Sequence, residues 1–179
     1  MAKQFDALQE AHIDFIQKQH MFFVGSAGAD GQVNVSPKGL DTLRIIDPTM
    51  VIWLSLTGSG NETAAHVLEN GRMTLMFCSF DRQPLVLRLY GTATVIYPRN
   101  EAWQQRYALF DDFIGARQLY ELQITLVQTS CGFSVPFYAF KGERHTLTKL
   151  DDQRGQEGIT ECWVNKNQVS IDGKPTGIL

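Results

Sequence analysis

A run of thirteen residues, Leu85 to Tyr97, keeps apolar side chains through most of its length and places a glycine, Gly91, at its middle. Strands in globular proteins usually span about 5–6 residues, so this one is long. A glycine inside such a strand marks a bulge or a bend, and bends of this kind let a sheet curl into a barrel. The chain therefore reads as mainly β, built around one long curved strand.

Shorter runs surround it. Met21 to Ala27 is apolar and stops at the turn Gly28-Ala29-Asp30-Gly31, and Gln32 to Ser36 then alternates polar and apolar residues. That is a hairpin signature. Pro37 confines its strand to an edge. The runs Thr42 to Ile46 and Val51 to Leu56 flank Asp47-Pro48-Thr49, and the four strands are expected to form an antiparallel meander. Met73 to Phe80 and Tyr120 to Thr129 supply further strands.

Three stretches have helical spacing. Phe5, Leu8, His12, Phe15 and Ile16 share one face near the start. Asn100 to Phe110 repeats Trp103, Tyr107 and Phe110 on one side. Between strands, Ser59 or Asn61 offers a cap and Asn70-Gly71 a left-handed stop for a short helix. Residues 165 to 173 read as a hairpin or a capping strand. With no repeat and no linker, the expectation is one domain over 1–179: an N-terminal helix in 1–20, a barrel with helices over 21–134 and a tail over 135–179.

Composition narrows the function. The chain has 179 residues, 44% of them hydrophobic and 20% charged, enough apolar side chains for a real core. Sixteen basic against nineteen acidic residues give a net charge of -3, which argues against a broad nucleic-acid-binding face. The longest apolar stretch, Met50 to Leu56, is far short of the ~20 residues a membrane span needs. Cys78, Cys131 and Cys162 fit neither a disulfide framework nor a zinc site, so buried reduced thiols and a cytoplasmic location are expected.

The motifs of zinc proteases, serine hydrolases, P-loops and Rossmann dinucleotide sites do not occur. Four histidines lie without metal spacing, no metal is expected, and no catalytic acid or base stands out. Glu62 and His66, four residues apart, read as a solvated or capping pair. What remains is a polar loop opening a helix. Ser59, Gly60, Asn61 and Thr63 offer hydroxyl, amide and backbone N–H donors where an anion such as phosphate is stabilised. Lys38 adds a positive charge on a neighbouring element, and Arg88 places another inside the long strand.

In order along the chain come Ala29-Asp30-Gly31, the strand Val33 to Gly39 with Ser36-Pro37-Lys38, the strand Val51 to Leu56, the loop-helix Ser59-Gly60-Asn61 to Asn70, and Arg88-Leu89-Tyr90-Gly91-Thr92-Ala93. This ordered set resembles the flavin-binding split barrel of the pyridoxamine 5'-phosphate oxidase-like superfamily over residues 23–97. Cys131 to Pro136 and Ser170 to Gly173 are similar to tail motifs of one bacterial branch.

The resemblance implies a six-stranded antiparallel split β-barrel with flanking helices, and a homodimer holding FMN in the groove between subunits. It implies that Ser36, Pro37 and Lys38 line the isoalloxazine and phosphate side and that Ser55 approaches the ring. Ser59, Asn61 and Thr63 would hold the phosphate, and Arg88 would support the ribityl-phosphate region. Phe137, Tyr138 or Trp163 would reach in from the partner. The oxidase has an Arg-Lys pair where this chain has Gly60-Asn61, a glutamine where it has Val86, and a basic C-terminal motif that this chain lacks. Pyridoxamine phosphate is therefore not the expected substrate. The expected activity is FMN-dependent oxidoreduction of another small molecule. A flavin- or haem-binding carrier or sensor, a deazaflavin in place of FMN, and a barrel without any cofactor are the alternatives.

Overall fold

The computed structural model describes residues 2–179. In chain order it contains β1 (Lys3–Phe5), α1 (Glu10–Gln17), β2 (Phe22–Ser26), β3 (Asn34–Lys38), β4 (Leu43–Asp47), β5 (Met50–Leu56) and α2 (Glu62–Asn70). There follow β6 (Arg72–Cys78), β7 (Leu85–Ile96), α3 (Trp103–Tyr107), β8 (Ala116–Cys131), α4 (Thr146–Cys162) and a π-helical turn (Trp163–Asn167). The fold is mainly antiparallel β with helices, as expected, with eight strands rather than six.

The strands follow the order β3-β2-β6-β7-β8-β5-β4, and β1 adds to β8. The expected meander is thus split. β2–β3 and β4–β5 are hairpins, but they close opposite ends of one sheet. β3 is an edge strand, the place in a sheet where a proline such as Pro37 is tolerated. The sheet curls until residues of β2, β5, β6, β7 and β8 meet in one core of Val24, Val51, Leu75, Phe77, Leu87, Leu89 and Leu122. Phe15 and Ile16 of α1 join the same core.

The bend at Gly91 has a concrete cause. Tyr90 pairs with Leu126 and Gly91 with Ile124, which leaves Thr125 as an extra residue on β8. At this bulge the strands come so close that a Cβ on Gly91 would lie 2.0 Å from the Gln123 carbonyl oxygen. Only glycine fits there. The extra residue lets Val127 and Ile124 both point inward although an odd number of positions separates them.

Several boundaries differ from the sequence reading. The N-terminal segment begins with a short strand before its helix, and the helix expected over Asn100 to Phe110 is one turn at Trp103–Tyr107. The strand expected over Tyr120 to Thr129 runs from Ala116 to Cys131. The tail carries α4, whose Gly155 is non-helical at φ 62 and ψ -179. The segment 165–173, expected as a hairpin or a capping strand, is a π-helical turn followed by a single antiparallel bridge between Val169 and Pro175. Cys78 is buried, Cys131 exposed and Cys162 half-buried, all three as free thiols, so burial holds for one of them. Among the described residues no helix is long and apolar enough to cross a membrane.

Candidate functional site

Register decides which side chains of β3 face the interior. Phe22 pairs with Lys38, Val24 with Ser36 and Ser26 with Asn34, and Phe22, Val24 and Ser26 are all buried. Asn34, Ser36 and Lys38 therefore point inward, while Val33, Val35 and Pro37 point out. The Ser36 hydroxyl donates to Asn34 Oδ1 at 3.2 Å, and Asn34 Nδ2 donates to Thr63 Oγ1 at 3.2 Å. That chain of contacts ties the edge strand to the first turn of α2. Ser26 Oγ lies 3.4 Å from Thr63 Oγ1 and 3.0 Å from His66 Nδ1. His66 is thus a buried partner of Ser26 instead of the solvated partner of Glu62 expected from spacing.

Inward residues of β5 and β8 form the opposite wall. Trp53 pairs with Tyr120 and Ser55 with Gln118, and the two aromatic rings stack at 4.5 Å. Lys38 Nζ sits 5.3 Å from the centre of the Trp53 ring, a cation–π distance. Burial first, and the neighbouring Arg117 charge second, bring the Lys38 ammonium down to about 8.

Arg117 carries the signal that the sequence reading missed. A register shift between Ser55 and Leu56 leaves it without a ladder partner and turns it inward, where it is 4% exposed. Its Nη1 donates to the Gly60 carbonyl and to Asn167 Oδ1, both at 2.9 Å, and Nη2 donates to Ser55 Oγ at 3.2 Å. All three acceptors are neutral, and Nε has no partner. Among the described residues, the ion pairs include neither Arg117 nor Lys38. Buried guanidinium groups normally meet a carboxylate. Neither cation has a carboxylate within ion-pair distance among the described residues, with Glu62, beside Gly60, acting on Arg117 only from farther away, so this end of the barrel is electropositive.

The loop in front of them presents unpaired donors. Asn61 stands at the N-cap position of α2, but its side chain makes no capping bond and instead pairs with Gln118 at 2.6 Å and 3.3 Å. The backbone N–H groups of Ser59, Gly60 and Asn61 form no hydrogen bond among the described residues. Ser59 is exposed, whereas Ser55, Asn61 and Thr63 are buried. Of the residues singled out from sequence, Ser36, Lys38, Ser55, Ser59, Asn61 and Thr63 thus meet around one end of the barrel. Pro37 is exposed on the outer face of β3. Arg88 stands apart: it lies three strands from β3 on the outer face, in the row Pro37, Phe23, Met76, Arg88, and donates to Ser130 Oγ at 3.1 Å. No group of acidic, cysteine and histidine residues able to hold a metal occurs among the described residues.

The family profile described as pyridoxamine 5'-phosphate oxidase matches residues 8–131. A curated relative from Aspergillus flavus, the pyridoxamine 5'-phosphate oxidase family protein ustO, is 42% identical over 96% of this chain and 76% of its own length. This chain belongs to the pyridoxamine 5'-phosphate oxidase family.

Solved structures agree on the fold of that family. A variant of HupZ from Group A Streptococcus superposes with a TM-score of 0.56 at 20% identity, over 68% of this chain and 98% of the other. A protein of Lactobacillus delbrueckii described as a putative pyridoxamine 5'-phosphate oxidase reaches a TM-score of 0.55 at 19% identity, over 69% and 94%. An FAD binding protein from Mycobacterium smegmatis reaches 0.50 at 12% identity, over 70% and 97%. The profile ends at Cys131, so α4 and the C-terminal segment lie beyond it.

Proposed function

We propose that this chain binds FMN through the electropositive end of its barrel and acts as an FMN-dependent oxidoreductase on a small molecule other than pyridoxamine phosphate. The observation that carries this reading is that Lys38 and Arg117 form no ion pair among the described residues and stand behind a loop whose amides are free. A dianionic phosphate balances that charge and accepts those donors. Ser59 and Thr63 add hydroxyl donors, Ser36, whose hydroxyl donates to Asn34, lines the site, and Ser55 and Asn61 hold the cradle's shape from behind. Flavin supplies the electron chemistry, and the protein contributes orientation and electrostatics.

Arg88 and Lys38 lie on opposite faces of one sheet and serve a single flavin only when two copies contribute. The reading therefore includes a homodimer with the cofactor between subunits. Exposed apolar side chains support that assembly: Val33 just before edge strand β3 and Val35 on its outer face, and Phe133, Phe137 and Tyr138 after β8. Sedimentation or light scattering should give twice the mass of the chain, and a monomer at micromolar concentration would remove this part. FMN added to the purified chain should lose fluorescence and gain structured flavin absorption at a stoichiometry of one per chain. Unchanged FMN fluorescence at protein concentrations well above micromolar would overturn the cofactor assignment.

A further inference from the structure

We propose that Arg117 and Asn167 are positioning residues that clamp the C-terminal segment 163–171 onto the loop 57–62 and thereby set that loop for its anionic ligand. The inference rests on the flavin reading and extends the site to a part of the chain outside the family profile, which ends at residue 131.

The contacts converge on one short stretch of backbone. Trp163 Nε1 donates to Thr57 Oγ1 at 2.8 Å, Asn167 Nδ2 donates to the Gly58 carbonyl at 3.1 Å, and the Ile171 N–H donates to Glu62 Oε2 at 2.7 Å. Asn61 Nδ2 approaches the Asn167 carbonyl at 3.5 Å. Arg117 joins the two partners, holding Gly60 and Asn167 with one nitrogen. Asn167 itself has no solvent exposure, and Thr176 Oγ1 donates to its carbonyl. Its two side-chain atoms are thus committed to Arg117 and to Gly58. A buried asparagine satisfied in this way fixes its neighbours rather than merely filling space.

Peptide geometry converts these bonds into a function. In a planar trans peptide, the carbonyl and the following N–H point in opposite directions. Asn167 draws the Gly58 carbonyl inward, so the Ser59 N–H faces the other way. Arg117 draws the Gly60 carbonyl inward, so the Asn61 N–H faces the other way as well. The clamp thereby aims alternate amides away from the protein's own acceptors, which accounts for their lack of partners. Gly58 and Gly60 have no side chain to hold the loop, so the orientation depends on bonds from outside it. The rigid fork of arginine reaches three acceptors from two separate nitrogens; the donors of lysine all leave a single nitrogen and cannot span them.

The test compares wild type with Arg117→Met, Arg117→Lys and Asn167→Ala, using trypsin cleavage after the exposed Lys166 and FMN fluorescence titration. Leu75→Ala, in the apolar core, serves as a control for general destabilisation. The clamp predicts at least tenfold faster cleavage after Lys166 in Arg117→Met and Asn167→Ala than in Leu75→Ala at equal folded fraction. It also predicts at least tenfold weaker FMN binding in both variants, with Arg117→Lys recovering little of either. Cleavage after Lys166 no faster than in the control would overturn the clamp whether or not FMN binds. FMN affinity within twofold of wild type in Arg117→Met, or full recovery in Arg117→Lys, would overturn its role in setting the loop. Failure of wild type to bind FMN strikes the flavin reading separately, and the proteolysis still decides the clamp. If Arg117→Met does not fold, Asn167→Ala, which leaves the guanidinium two acceptors, carries both measurements alone.

Discussion

Two neighbouring stretches of the same pair of strands are built in opposite ways. Around Val51 of β5 and Leu122 of β8 the interior is hydrocarbon, continuous with Val24, Leu75, Leu87 and Leu89. A few residues along the same strands come Trp53 and Tyr120, and then Ser55 and Gln118, where Arg117, Asn61 and Asn167 fill the space with hydrogen bonds. Both regions exclude water. The first stabilises the fold by about 25 cal/mol for each Å² of apolar surface it removes from solvent. The second holds Arg117, and Lys38 beside it, without an ion-pair partner among the described residues, and burying unpaired charge costs several kcal/mol. A ligand of opposite charge offsets that cost; hydrocarbon neighbours would not.

Perturbing each region should therefore give a different signature. The largest effect belongs to the apolar region: Leu75→Ala should lose about 2–5 kcal/mol of unfolding free energy in urea titration, while its folded fraction binds FMN as wild type does. A parallel loss of FMN affinity would mean that the two regions are not separable. Next comes Lys38→Met, which removes one of the two charges. FMN binding should weaken about tenfold or more, in line with about 1.5–3 kcal/mol for a bond to a charged group. Thermal stability should hold or rise, because a desolvated charge has gone.

The pH dependence sharpens the same contrast. Lys38 titrates near 8 in the free protein. An anion favours its charged form, so between about pH 6, above which the phosphate is dianionic, and about pH 8, binding needs no proton and affinity stays level. Above that, each binding event takes up a proton, and affinity should fall by as much as tenfold per pH unit. Lys38→Met should flatten the profile, and an identical decline in that variant would assign the titration to another group. The smallest effect is expected at Arg88, whose side chain donates to Ser130 on the outer face. Arg88→Ala should shift the folding stability of the chain by no more than about 0.5 kcal/mol in a thermal melt.

Much of the architecture was legible because local chemistry and global fold agree. Gly91 in a thirteen-residue run announced a bend, and the bulge opposite it forbids any other residue. Asn70-Gly71 announced the end of α2, where Gly71 has φ 69. The pairing order was not legible. Hairpins signal only adjacent strands, so the sequence does not show that β3 and β4 part to opposite edges. In the tail, α4 has little amphipathic pattern, with Asp151 and Ile159 as its buried residues.

The site divides along the same line. Lys38 and Ser59 to Thr63 were found because a helix start and a nearby cation are local features. Arg117 was missed because nothing in Ala116-Arg117-Gln118 marks burial; the register shift against β5 turns it inward. Asn167 was missed because its importance lies in contacts across more than 100 residues of chain, to Gly58 and Asn61.

Titration of the purified chain with FMN, followed by both fluorescence and the visible absorption spectrum, tests the central claim most directly. An electropositive barrel end that cradles a phosphate predicts saturable quenching, a resolved flavin band at one FMN per chain, and competition by inorganic phosphate at high concentration. Fluorescence and absorption identical to free FMN, with and without phosphate, would contradict it.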